Sequence, residues 1–149
     1  MNPAYKKAVQ LLATRAHFRR ELDRKLLQRA FPPEEIEAAL DRLRSEGYLD
    51  DRAAARDFVE SRSSKGEGRT RLRAELLKRG ASEEAVEAAL SDLPDDDLPA
   101  AREAAGKWER KGGSDPRALA RHLERKGFSR RAIVAVLSQR ADGLDIDES

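Results

Sequence analysis

Arginine carries most of the chemistry this chain can offer, and its placement is regular. Arg117, Arg121 and Arg125 recur every fourth residue, and Arg20 and Arg24 repeat the spacing. On an α-helix that spacing sets the side chains in one row. Leu119 and Leu123, like Leu22 and Leu26, then fall on the opposite side. A guanidinium row suits a phosphate backbone, because it binds phosphate bidentately and releases counterions. It suits an acidic protein surface too, and a solubilising helix face is the plain alternative. Lys126, Arg130 and Arg131 extend the same basic end.

Catalytic constellations are missing from the sequence. His17 and His122 lie far apart with no cysteine or HxxxH partner, so both are expected at surface or half-buried helix positions rather than as ligands. Lys65-Gly66-Glu67-Gly68 resembles a phosphate-binding glycine loop only at first glance. It fits neither GxxxxGK[ST] nor GxGxxG and follows no strand, so a helix-to-helix loop is the expectation. The carboxylates sit on repeating helix faces without a paired acid and base, and no serine lies in a GxSxG turn. The reading is therefore a non-enzyme with no catalytic residue, cofactor or metal. The lack of cysteine excludes disulfides and thiolate zinc sites.

Charge supports a binding role. Charged residues make up 39% of the 149 positions, and the net charge is +2. Asp142, Asp145, Asp147 and Glu148 give an acidic tail, and without it 30 bases face 24 acids, a charge of +6. A second acidic patch, Asp92 with Asp95, Asp96 and Asp97, surrounds Pro94. A basic body fits a polyanionic partner. No apolar run approaches the ~20 residues of a membrane span. Met1 to Gln10 lacks the apolar core of a signal peptide, so a cytoplasmic protein without membrane contact is expected.

The elements that position the bases come from an internal repeat. A shift of 50 aligns Leu22 with Leu72, Leu26 with Leu76, Ile36 with Val86 and Leu40 with Leu90. A shift of 47 then aligns Leu72 with Leu119, Leu76 with Leu123, Gly80 with Gly127 and Ser82 with Ser129. Val86 falls on Ile133, and Leu90 on Leu137.

Each unit reads as three helices. The first helices are expected near 4–14, 51–62 and 98–110, the second near 19–29, 70–79 and 116–126, and the third near 33–45, 83–93 and 130–139. Gly80 and Gly127 stop second helices as left-handed C-caps. Ser82 and Ser129 are natural N-caps for third helices, and Asp115 caps the helix opened by Pro116. The fold class is all-α: three tandem three-helix repeats in an elongated, curved array. The repeats span 1–49, 50–97 and 98–141, with an acidic tail over 142–149.

The basic residues gather on the second helices. Arg15 to Arg29 holds six bases and two acids, Arg62 to Arg79 seven and two, and Lys107 to Arg131 nine and three. The repeat shift maps Arg20, Arg24 and Gln28 onto Thr70, Ala74 and Lys78, then onto Arg117, Arg121 and Arg125. The outward row is thus basic in repeats one and three and weak in the middle. The third helices of repeats one and two open on acids: Glu34, Glu35 and Glu37, then Glu83, Glu84 and Glu87. Such helices are poor major-groove readers. Repeat three, opening on Arg130 and Arg131, is better suited.

One further motif, Gly47-Tyr48-Leu49-Asp50-Asp51, marks the junction of repeats one and two. Gly47 can end a helix, Tyr48 and Leu49 can staple the two repeats, and Asp50 or Asp51 can cap the next helix. With Phe58, Val59, Arg62 and Gly68, then Leu72, Leu76, Gly80, Val86 and Leu90, this stretch resembles the RecX family, bacterial regulators of the RecA recombinase. Ala8, Leu11, Leu12, Leu22 and Leu26 extend the resemblance through repeat one, and Trp108, Leu123, Gly127, Phe128 and Ile133 through repeat three.

The resemblance implies binding to the RecA nucleoprotein filament, mostly inhibitory modulation in DNA repair, recombination and the SOS response, contact with DNA, and no catalytic residues. A monomer is expected. Two readings from other classes compete: a sequence-specific helical transcription factor reading DNA with repeat three, and a repeat adaptor for another protein.

Overall fold

A computed structural model describes the backbone of residues 2–148 and the side chains of residues 2–141. The acidic side chains expected as a tail over 142–149 lie outside those described. Among the described residues there are nine helices and no strand. In order they are α1 (Pro3–Thr14), α2 (Arg19–Gln28), α3 (Pro33–Ser45), α4 (Asp51–Ser63), α5 (Arg69–Arg79), α6 (Glu83–Leu90), α7 (Leu98–Arg110), α8 (Pro116–Lys126) and α9 (Arg130–Glu148).

The chain forms two compact units. The first gathers residues 1–58 and 75–89, the second residues 59–74 and 90–149. The boundaries fall inside α4 and α5 and before the last residue of α6, so each unit holds one terminal repeat and part of the middle one.

In the first unit α1, α2 and α3 pack on one another around Ala4, Ala8, Leu22, Leu26, Ile36, Leu40 and Leu43, with Leu49 closing the cluster. Burying one such leucine contributes about 1.5–3 kcal/mol. Asn2 opens α1 by accepting the Ala4 and Tyr5 amides. Pro33 takes the first turn of α3, where no amide is missed.

In the second unit α7, α8 and α9 pack around Ala101, Ala105, Leu119, Leu123, Phe128, Ala132 and Val136. Asp115 caps α8 through the Arg117 amide. Gly127 ends α8 with φ +94°, a conformation that costs a side-chain-bearing residue about 1–2 kcal/mol. Ser129 caps α9 through the Ala132 amide, as Ser82 caps α6 through the Ala85 amide in the first unit.

Three expectations need correction. α6 stops at Leu90 rather than Leu93, because Leu93 precedes Pro94 and is biased out of helical backbone. α9 runs on to Glu148 rather than stopping at Gln139, since no proline or strong cap interrupts the segment. His17 is not on a helix and not exposed: it lies in the α1–α2 loop and is 2% exposed.

Candidate polyanion-binding surface

The arginine rows lie where helical spacing puts them. On α8, Arg117, Arg121 and Arg125 are exposed, while Leu119 and Leu123 are buried. Arg130 and Arg131, in the first turn of α9, are exposed as well. None of these five arginines forms a salt bridge among the described residues. Their charge is left to solvent or to a ligand.

Lys126 does not belong to this row. It is half-buried and sits four residues after His122, next to the α7 side of the unit. Burial, then the charges of Lys126, Arg125 and Lys111, hold the His122 pKa below its ordinary value. This end of the second unit is therefore electropositive.

On α2 of the first unit, Arg20 and Arg24 are exposed opposite the buried Leu22 and Leu26. They too lack a salt bridge among the described residues. Lys78 and Arg79 of α5 line the same surface groove, together with the exposed Leu27 and Leu77. The middle row, Thr70, Ala74 and Lys78, is exposed but carries a single base.

The base of α2 is held by a buried polar cluster that the sequence pattern does not reveal. The Glu21 carboxylate accepts from the Arg15 guanidinium and from the Phe18 amide. His17 Nδ1 lies 2.9 Å from the Arg15 carbonyl, and its Nε2 lies 3.0 Å from Lys25 Nζ. An ammonium only donates, so Nε2 must accept and Nδ1 must carry the proton. Burial leads the downward shift of the His17 pKa. For Glu21 burial works against the charge, but the Arg15 hydrogen bond and charge outweigh it and leave the carboxyl below its usual range. Helical spacing sets Glu21 and Lys25 side by side on α2, and the α1–α2 loop brings Arg15 and His17 to them, which the sequence pattern does not show.

Gly47 ends α3 with φ +83°. Leu49 is buried against the core of the first unit, and the Asp50 carboxylate caps α4 through the Ala53 amide. Asp51 reaches back to accept the Arg19 amide at the start of α2, at 2.9 Å. Tyr48, expected to staple the two repeats with Leu49, is instead 67% exposed, because Gly47 turns the chain before it and only the next residue faces the core.

Among the described residues no group of histidines and carboxylates could hold a metal ion. No helix is long and apolar enough to cross a membrane.

The chain matches two family models, that of the first three-helix domain of RecX over residues 4–43 and that of the second over residues 50–90. It is 41% identical over 145 residues to the regulatory protein RecX of Pseudomonas fluorescens, covering 93% of this chain and 90% of the relative. With that of Xanthomonas axonopodis pv. citri it shares 38% over 133 residues, covering 87% and 82%. The fold is similar to the crystal structure of RecX from Lactobacillus salivarius, with a TM-score of 0.78 at 20% identity over 91% of this chain and 93% of that one. The repeats, the junction and these relatives agree: the chain belongs to the RecX family of regulatory proteins.

Proposed function

We propose that this protein binds the RecA nucleoprotein filament and restrains recombinase activity, acting without catalysis, cofactor or membrane, as a cytoplasmic monomer. The observation that carries the reading is the unpaired arginine row on α8, with Arg117, Arg121 and Arg125 exposed opposite Leu119 and Leu123. Side chains that do nothing for the core and have no ion-pair partner are free to meet phosphate or an acidic protein face. Arg130 and Arg131 add charge in the same unit, and Arg20 with Arg24 offers a second contact region on α2.

A filament presents both kinds of anion, the DNA backbone and protein carboxylates. Repeated binding units in one chain suit such a repetitive target, since each added contact raises avidity without needing high affinity at any one site. RecA ATPase and strand-exchange assays, with and without the protein, test the reading. Inhibition that saturates with added protein is expected; unchanged rates in both assays would return the basic faces to a solubilising role.

A further inference from the structure

A small cavity in the second unit gathers a chemistry that the arginine rows do not have. It measures about 330 Å³ and is walled by α7, α8 and the loop after α4. Trp108 and His122 supply its aromatic wall. Their ring centroids lie 6.3 Å apart with planes inclined by 28°. Gly113 lets the indole lie close to the backbone, since a Cβ there would come within 2.5 Å of Trp108 Cδ2.

Around this wall stand four lysines: Lys65, Lys107, Lys111 and Lys126. Glu103 pairs with Lys107 at 3.6 Å. The other three form no salt bridge among the described residues. Lys126 is half-buried and Lys65 and Lys111 are exposed, and an anion placed among them would offset their mutual repulsion.

The Lys65-Gly66 segment supplies charge rather than an amide cradle. The Lys65 and Gly66 amides already donate to the Arg62 and Ser63 carbonyls. The Ser63 and Ser64 hydroxyls donate to the Glu60 and Ser61 carbonyls. An anion here would be met by lysine side chains. Two stacked aromatic rings rimmed by lysines match the two halves of a nucleotide, a base to stack and a phosphate to pair. The volume suits one such unit, not a duplex.

We propose that this cavity takes one unpaired nucleotide of a single-stranded nucleic acid, its base against Trp108 and His122 and its phosphate among Lys65, Lys111 and Lys126. The proposal stands apart from the arginine rows, because base stacking, not phosphate alone, defines it.

Trp108 is the single tryptophan of the chain, so its emission reports on the cavity directly. The full-length protein is titrated with oligodeoxythymidylate, the same strand paired with oligodeoxyadenylate, thymidine monophosphate and heparin. Saturable quenching by the single strand, with little from the duplex or heparin, is expected. In anisotropy measurements with a labelled strand, Trp108→Ala should weaken binding by roughly 5- to 150-fold, the range of one base–aromatic stack. His122→Ala, with melting unchanged, guards against a folding defect in the tryptophan variant and should weaken binding in the same direction. Lys65→Gln with Lys111→Gln should flatten the salt dependence by about 0.7 in log–log slope for each phosphate no longer neutralised.

Heparin quenching as strong as that of the strand would overturn the proposal, as would quenching by the monophosphate with none by the strand. So would strand binding that survives His122→Ala and both lysine changes undiminished. Because Arg117, Arg121 and Arg125 are intact in all these variants, loss of strand quenching with retained RecA inhibition separates this site from the proposed filament contacts.

Discussion

Gly127 lies so close to Arg71 that a Cβ on the glycine would come within 2.3 Å of the arginine's own Cβ and 2.5 Å of its amide nitrogen. The contact joins the end of α8 to the start of α5. Gly68 N–H donates to the Lys126 carbonyl at 2.6 Å, and Thr70 N–H to the Gly127 carbonyl at 3.1 Å. The unpaired amides that open α5 are thus satisfied by the unpaired carbonyls that close α8. Gly68 is equally confined, for a Cβ there would stand 2.5 Å from the Gly127 oxygen. The first unit repeats the arrangement more loosely: a Cβ on Gly80 would meet Arg20 Cβ at 3.0 Å.

Gly127→Ala therefore faces two penalties, a positive φ and a collision with backbone that cannot turn aside. A loss of roughly 2–5 kcal/mol is expected in denaturant melts. A loss under about 0.5 kcal/mol would mean that α5 and α8 do not meet this closely in solution.

Ala30 is the repeat-one counterpart of Gly80, and it has φ +65°. It is the one non-glycine residue with positive φ among those described, and it is exposed. Only the backbone conformation, not close approach, asks for glycine there. Ala30→Gly should relieve the left-handed strain and stabilise by about 0.5–1 kcal/mol, after the greater freedom glycine gives the unfolded chain. Thermal melting checks it: a lower midpoint would contradict the strain.

The cluster below α2 sets a pH dependence. Both His17 and Glu21 have folded pKa values below their ordinary ones. The unfolded chain then binds more protons, so the stability they contribute is full above the unfolded values and falls as pH drops through the folded ones. For His17 the loss begins near its ordinary value of about 6.5, and for Glu21 near about 4.3. Protonating His17 also ends the acceptor role of Nε2 and sets a cation beside Lys25. Melts of wild type should weaken from about pH 7.5 to pH 5, and His17→Gln should flatten that slope. An identical slope in the variant would remove His17 from the account.

The helices and most of their caps were legible because they depend on local pattern. The leucine period placed Leu22, Leu26, Leu72, Leu76, Leu119 and Leu123 inside, and Gly80, Gly127, Ser82, Ser129 and Asp115 fixed helix ends. Non-local geometry was not legible. Tyr48 is flanked by residues that do face structural tasks, yet only the turn at Gly47 decides that it points out. His17 is buried by a loop that carries no periodicity. Lys65 and Lys126 come from stretches distant from Lys107, Trp108 and Lys111, and only the packing of the second unit shows that they share a cavity. Lys126 could not be told from the α8 row by charge, although its position one residue after Arg125 already turns it onto another face.

The proposed contact of the α8 row with the filament is tested by changing Arg117, Arg121 and Arg125 together to alanine. The three side chains are exposed and unpaired among the described residues, so helicity and melting should stay near wild type. Inhibition of RecA ATPase is measured for wild type and the triple variant across a salt series. Weaker inhibition by the variant and a shallower salt dependence are expected, by about 0.7–0.9 in log–log slope for each phosphate that the variant no longer neutralises. A folded triple variant that inhibits as well as wild type, with the same salt slope, would contradict it.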